Sequence, residues 1–191
     1  MDAYHIALFF HVVTLVVAAG ATAVTKLAVG RRIRARTVGE ALEWHDLLIS
    51  ASRLFPACLA LFLATGGYMV SIVGAQAWSS GFVLAGLAGV ILLLASGTYL
   101  GIKAKGLRQV LARIAENGSD APAPRLIPPR LVAMLPVVNT GIALAVVFDM
   151  VTKPASIPLA LGVIAIGIAV SGATTLQRPT PVVARALSPE S

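Results

Sequence analysis

The sequence predicts an all-α fold: a polytopic membrane helix bundle of five transmembrane helices, amino terminus outside and carboxy terminus cytoplasmic. Three observations predict it. The 191 residues are 58% hydrophobic and only 12% charged, so no polar exterior is available for a water-soluble core. Five apolar runs, at 4–28, 54–74, 81–102, 131–152 and 156–176, each have 21 to 25 residues. At a rise of about 1.5 Å per residue, that spans a hydrocarbon layer about 30 Å thick with some tilt. Third, period-two alternation over ten-residue stretches, the sign of a membrane barrel, is absent, which leaves helices as the backbone form that lipid tolerates.

The first span opens with MDAYH, an acid and no lysine or arginine before the apolar run. A cleavable signal wants a basic start and a shorter apolar stretch, so the first helix is expected to be retained. Between the first and second spans, GRRIRARTVGEALEWHDLLISASR carries Val38, Leu42, His45, Leu47 and Leu48 at helical spacing among Glu40, Glu43 and Asp46. This predicts a short surface helix leading into the second span. After the third span, KAKGLRQVLARIAEN keeps that spacing through Leu107, Val110, Leu111 and Ile114, so the helix continues beyond the bilayer. The prolines of NGSDAPAPRLIPPR then end it. Residues 1–176 read as one helix-bundle domain, and 177–191 as a flexible cytoplasmic tail.

Orientation follows from the basic residues. Lys26, Arg31, Arg32, Arg34, Arg36 and Arg53 flank the first long loop, and Lys103, Lys105, Arg108, Arg113, Arg125 and Arg130 flank the second. Arg178 and Arg185 lie in the tail, leaving Lys153 alone on the opposite side. The positive-inside rule makes both long loops cytoplasmic. The net charge of +7 thus belongs to topology and to anionic lipid headgroups rather than to nucleic acid.

Small residues mark candidate helix contacts: Gly97 with Gly101, Ala85 with Gly89, and Gly162, Gly167 and Gly172 in the last span. Pro136 to Gly141 is a kink candidate, with Asn139 and Thr140 near mid-membrane. Thr14, Thr22 and Thr25 are placed to bond back to their own helix carbonyls. Cys58, the single cysteine, has no partner for an intrachain disulfide and reads as packing. There is no Walker loop, HExxH, GxSxG or pair of hydrolytic carboxylates, so enzyme chemistry has little support.

The chemically suggestive residues sit at the outer half. His11 lies deep in the first span, with His5 about 10 Å further out and on a different face. Met69 and Met150 occupy comparable depth, and imidazole with thioether suits copper, notably Cu(I). Methionine also fills space, and Asp149 with Lys153 has the i, i+4 spacing of an ion pair. His11 and His45 lie at opposite depths, so one chain assembles no two-histidine haem site unless His5 or His11 meets a copy in another subunit. Copper and haem are the two cofactors left open, a metal set of His11, His5, Met69 and Met150 being the sharper.

Three stretches together resemble a known group: His11 followed by Gly20, ATGGYMV at Ala64–Val70, and DMVTKP at Asp149–Pro154. They are similar to a bacterial family of predicted integral membrane proteins of unknown function, with a histidine and following glycine in the first helix and a late Met-x-x-Lys-Pro. That group is similar in layout to the CopD copper resistance membrane domain and distantly to HemJ-like proteins. The resemblance implies family-like roles for His11, Gly20, Thr65, Gly66, Lys153 and Pro154. It departs at Ala18 and Ala19, where an aromatic is common, and at Lys103, far from His11. The resulting expectation is a scaffold or accessory subunit of the cytoplasmic membrane, with or without a membrane protein partner or second copy. The alternative is copper or small-solute handling around His11, and a third reading is a haem-dependent redox enzyme.

Overall fold

The computed structural model describes residues 2–124, 128–154 and 156–176; the tail at 177–191 lies outside the described residues. Among these residues six α-helices follow one another: α1 (Ala3–Arg34), α2 (Val38–Ser52), α3 (Leu54–Val73), α4 (Gly81–Ala115), α5 (Arg130–Thr152) and α6 (Ile157–Leu176), with a 3-10 turn at Ala75–Ser79 between α3 and α4. Five helical stretches among the described residues each hold an apolar segment long enough to cross a membrane, the second of them within the consecutive helices α2 and α3. Among the described residues the only β pairing is the isolated bridge between Thr37 and Pro122. Both extensions expected past the bilayer are present, α2 as a separate helix and α4 continuing to Ala115.

α1 packs by size rather than by hydrophobicity. Phe9 is 61% and Val16 66% exposed, and its buried residues are Thr14, Ala21 and Ala28. Ala7, His11, Ala18, Thr25 and Arg32 are half-buried and complete a run spaced alternately four and three residues apart, the seam of a left-handed helix pair. In lipid an apolar side chain gains nothing by turning inward, whereas a small one lets backbones approach. Thr14 and Thr25 close their hydroxyls onto Phe10 O and Thr22 O at 2.7 and 2.9 Å, and Thr22 closes onto Ala18 O at 2.8 Å.

The helices form two groups. α1 contacts α2 and α3 but none of α4, α5 or α6, and α3 touches α4 only marginally. α4, α5 and α6 pack mutually around Ala85, Ala145, Ala160 and Ile164. A Cβ on Gly141 would overlap Ser171 and the Gly167 carbonyl, and one on Gly89 would overlap Val146. Gly97, Gly101, Gly162 and Gly172 have open space beside them, so the contacts run through Ala85, Gly89, Gly141 and Gly167. In α5 the Pro136 carbonyl accepts the Thr140 hydroxyl at 2.9 Å, and Asn139 Oδ1 accepts Ser96 Oγ of α4 at 2.8 Å. An interhelical bond of this kind contributes about 0.6 kcal/mol on average in a membrane.

α2 ties the two groups together on the basic side. Thr37 caps it, its hydroxyl accepting Glu40 N at 3.2 Å while Glu40 Oε2 accepts Arg36 N at 2.9 Å. The chain after α4 satisfies further donors that the helix itself leaves unpaired: Val38 N bonds Ala121 O at 2.9 Å and Gly39 N bonds Ser119 O at 3.0 Å, as a helix start requires. Val38, Ala41 and His45 form its buried face. His45, 1% exposed, donates Nε2–H to Ala104 O of α4 at 2.8 Å. Its Nδ1 accepts Arg32 of α1 at 3.2 Å. Beside it, Arg108 of α4 grips Asp46 through two bonds of 2.6 and 3.2 Å, which hold the Asp46 carboxyl below the usual carboxylate range. Both His45 nitrogens are therefore committed to the neutral form.

Burial holds the His45 imidazole below its ordinary range; the Ala104 hydrogen bond opposes this, and the Arg32 guanidinium adds to it. The unfolded chain then takes up a proton below about pH 6.5 that the folded chain refuses. Stability is complete above that pH and declines below it, by at most about 1.4 kcal/mol per pH unit. Thermal unfolding in detergent is expected to show the wild type weaker at pH 5.5 than at pH 7.5, with the difference reduced in His45→Gln. An equal pH dependence in the two proteins would dissociate it from His45.

Candidate functional site

His11 sits where α1 crosses α3. Its Nδ1 lies 2.8 Å from Thr65 Oγ1, and Thr65 closes its hydroxyl onto Leu61 O of its own helix at 2.7 Å. A threonine hydroxyl has one hydrogen. With that hydrogen on Leu61 O, His11 is the donor through Nδ1–H, and Nε2 is left without a partner among the described residues. The Phe62 ring meets the imidazole edge-on, centroids 5.0 Å apart at 71°. Gly66 lies beside it, where a Cβ would rest in ordinary contact, 3.5 Å from His11 Cε1, so the ring does not itself require a glycine there.

Toward the basic side the α1–α3 seam opens into a shallow apolar groove of about 210 Å³, bordered by Thr14, Val17, Leu54, Cys58 and Leu61. Cys58 is buried there as a free thiol, in keeping with a packing role. Gly20, by contrast, has nothing within 4 Å of a notional Cβ, so no contact within the chain explains it.

The other proposed ligands are dispersed. Met69 follows Thr65 by one turn of α3 and is half-buried, on the Thr65 face of that helix. His5 is exposed and stands 3.9 Å from Asp2, its ring edge-on to Tyr4. Met150 lies in α5 with its methyl group against Gly86 of α4, and α5 makes no contact with α1. The neighbours of His11 are thus Thr65, Phe62 and Gly66 of α3, and Met150, on a helix that does not touch α1, is not among them. Among the described residues no three of His, Cys, Asp and Glu gather as a metal-binding group.

Asp149 also departs from the sequence reading. It is 0% exposed, and neither carboxylate oxygen has a hydrogen-bond partner. The expected ion pair with Lys153 does not form. Lys153 ends α5 in the left-handed conformation (φ 48°, ψ 55°), its backbone N–H returning to Asp149 O at 2.8 Å, and its side chain is exposed. The i, i+4 rule presumes that both residues lie within the helix, and this helix stops first. Thr65 as the His11 partner was half-visible in the sequence through the ATGGYMV stretch. The Arg32–His45–Ala104 junction had no local signal, since its members are 13 and 59 residues apart.

No family model, curated protein or solved structure matches this chain.

Replacing Thr65 by valine leaves the His11 donor unpaired in an apolar seam, a loss of about 1 to 3 kcal/mol. Thr22→Val, which removes only a bond within one helix, is expected to change stability by less than about 0.5 kcal/mol. Unfolding of both variants in the same micelles checks the contrast.

Proposed function

We propose that the protein is a multi-pass protein of the bacterial cytoplasmic membrane, amino terminus outside, that serves as a scaffold or accessory subunit. The observation carrying this reading is the division of the bundle. An α1–α3 pair with apolar side chains around nearly its whole circumference stands apart from α4–α6 and is strapped to it by α2. Such a pair offers membrane-facing surface to a partner helix or a second copy. Arg31 stacks over Trp44 at 5.8 Å and Lys103 over Tyr99 at 5.6 Å. These cation–aromatic pairs at the basic ends suit the headgroup level of an anionic leaflet. Labelling cysteines introduced at Ser79 and Ser119 in intact cells with an impermeant maleimide is expected to mark only Ser79→Cys. The reverse pattern overturns the orientation.

In this reading His11 is a packing donor to Thr65. The second reading, copper or small-solute handling at His11, is favoured by one observation: the nitrogen opposite the Thr65 bond is free, and metal-bound histidines characteristically anchor the other nitrogen in this way. Haem-dependent redox chemistry remains the third. Absorption spectra and metal analysis of protein purified in mild detergent, with His11→Ala alongside, separate them. The scaffold reading expects a colourless protein without stoichiometric metal and a destabilised variant. A Soret band or stoichiometric copper lost in His11→Ala would replace it with a haem or copper protein.

A further inference from the structure

Asp149 is the residue whose chemistry the scaffold reading leaves unused. It continues the buried face Ile142–Ala145–Asp149 of α5 into the contact with α4 and α6. The register is set by Met150, whose methyl group meets Gly86, five residues or about a turn and a half from the first residue of α4. Directly above, the starts of α4 and α6 press together: a Cβ on Gly81 would lie 2.7 Å from Ser156 C. The carboxyl is thus enclosed near the membrane face opposite the basic loops, and both of its oxygens lack partners. An ionised carboxylate cannot persist in such a place uncompensated, and Lys153, the nearest cation in the sequence, has its side chain exposed. Its described surroundings, Ile142 and Ala145 on its own helix and the Met150–Gly86 contact beside it, offer no further oxygen ligand to a metal ion, so the compensating charge the site fits is a proton.

We infer that Asp149 is a proton-binding site, exchanging with the medium on the side of the α3–α4 and α5–α6 connections. The site lies about a turn and a half below the start of α4, where the starts of α4 and α6 meet at Gly81 and Ser156, so the path between the carboxyl and water is short and the occupancy is reversible. Release of the proton leaves a bare charge that draws water between α4 and α6, so occupancy and the packing of this end are coupled.

Infrared difference spectra of the full chain in lipid nanodiscs, wild type against Asp149→Asn, test this. In sodium-free buffer the wild type is expected to show the carbonyl stretch of a protonated carboxyl that the variant lacks. Reversible loss of that band as pH rises identifies a proton site. Conversion to a carboxylate band on adding sodium at constant pH would mean that a metal cation replaces the proton, and overturns the inference. If the variant does not fold, carboxyl-labelled aspartate in the wild type assigns the band, because Asp2, Asp46 and Asp120 are not buried. A carboxylate band indifferent to pH and sodium, or a protonated band that never titrates, overturns the inference.

Discussion

The arrangement of the whole chain depends on a neutral histidine at the basic side of the bundle. Since α1 has no contact with α4, α5 or α6, lipid-facing packing alone does not fix the first group of helices against the second. His45 supplies a joint by donating to α4 with one nitrogen and accepting from α1 with the other. The imidazole is suited to this because its two nitrogens have opposite roles in the uncharged state. A lysine offers donors only, and a carboxylate acceptors only. Asp46 and Arg108, the next residue of α2 and a residue one turn along α4, hold the same pair of helices by charge where water reaches them. Buried neutral bonding and exposed ion pairing thus divide one junction according to solvent.

The number of spans, the surface helix and the extension of α4 were legible because each is written in local periodicity and length. Partners were legible only where a motif kept them adjacent. The α1 seam shows why: Ala7, His11, Thr14, Ala18, Ala21, Thr25 and Ala28 are less hydrophobic than the residues facing lipid, so a search for an apolar face points the wrong way. The glycines carry a similar lesson. Gly97 and Gly101 match the GxxxG spacing, yet a Cβ on either would meet nothing, whereas one on Gly141 would overlap Ser171 and the Gly167 carbonyl of α6. Spacing records what a helix can present, and only the crossing of two helices decides which presentation is used.

The same distinction separates the candidate polar groups. His11 and Asp149 looked alike in the sequence, each an ionisable residue in an apolar segment near the outer half. In the fold, His11 has a partner one helix away and becomes part of a seam, with one nitrogen to spare. Asp149 has none, although a lysine stands four residues on, because the backbone turns out of the helix at that lysine. Polar residues within a membrane carry most information where their hydrogen bonding is incomplete. A satisfied group is accounted for by packing, while an unsatisfied one implies something that comes and goes. By that criterion the α4–α6 group, rather than the histidine-bearing α1–α3 pair, holds the stronger evidence for a bound proton, and the strap at His45 keeps it in fixed relation to the rest of the chain.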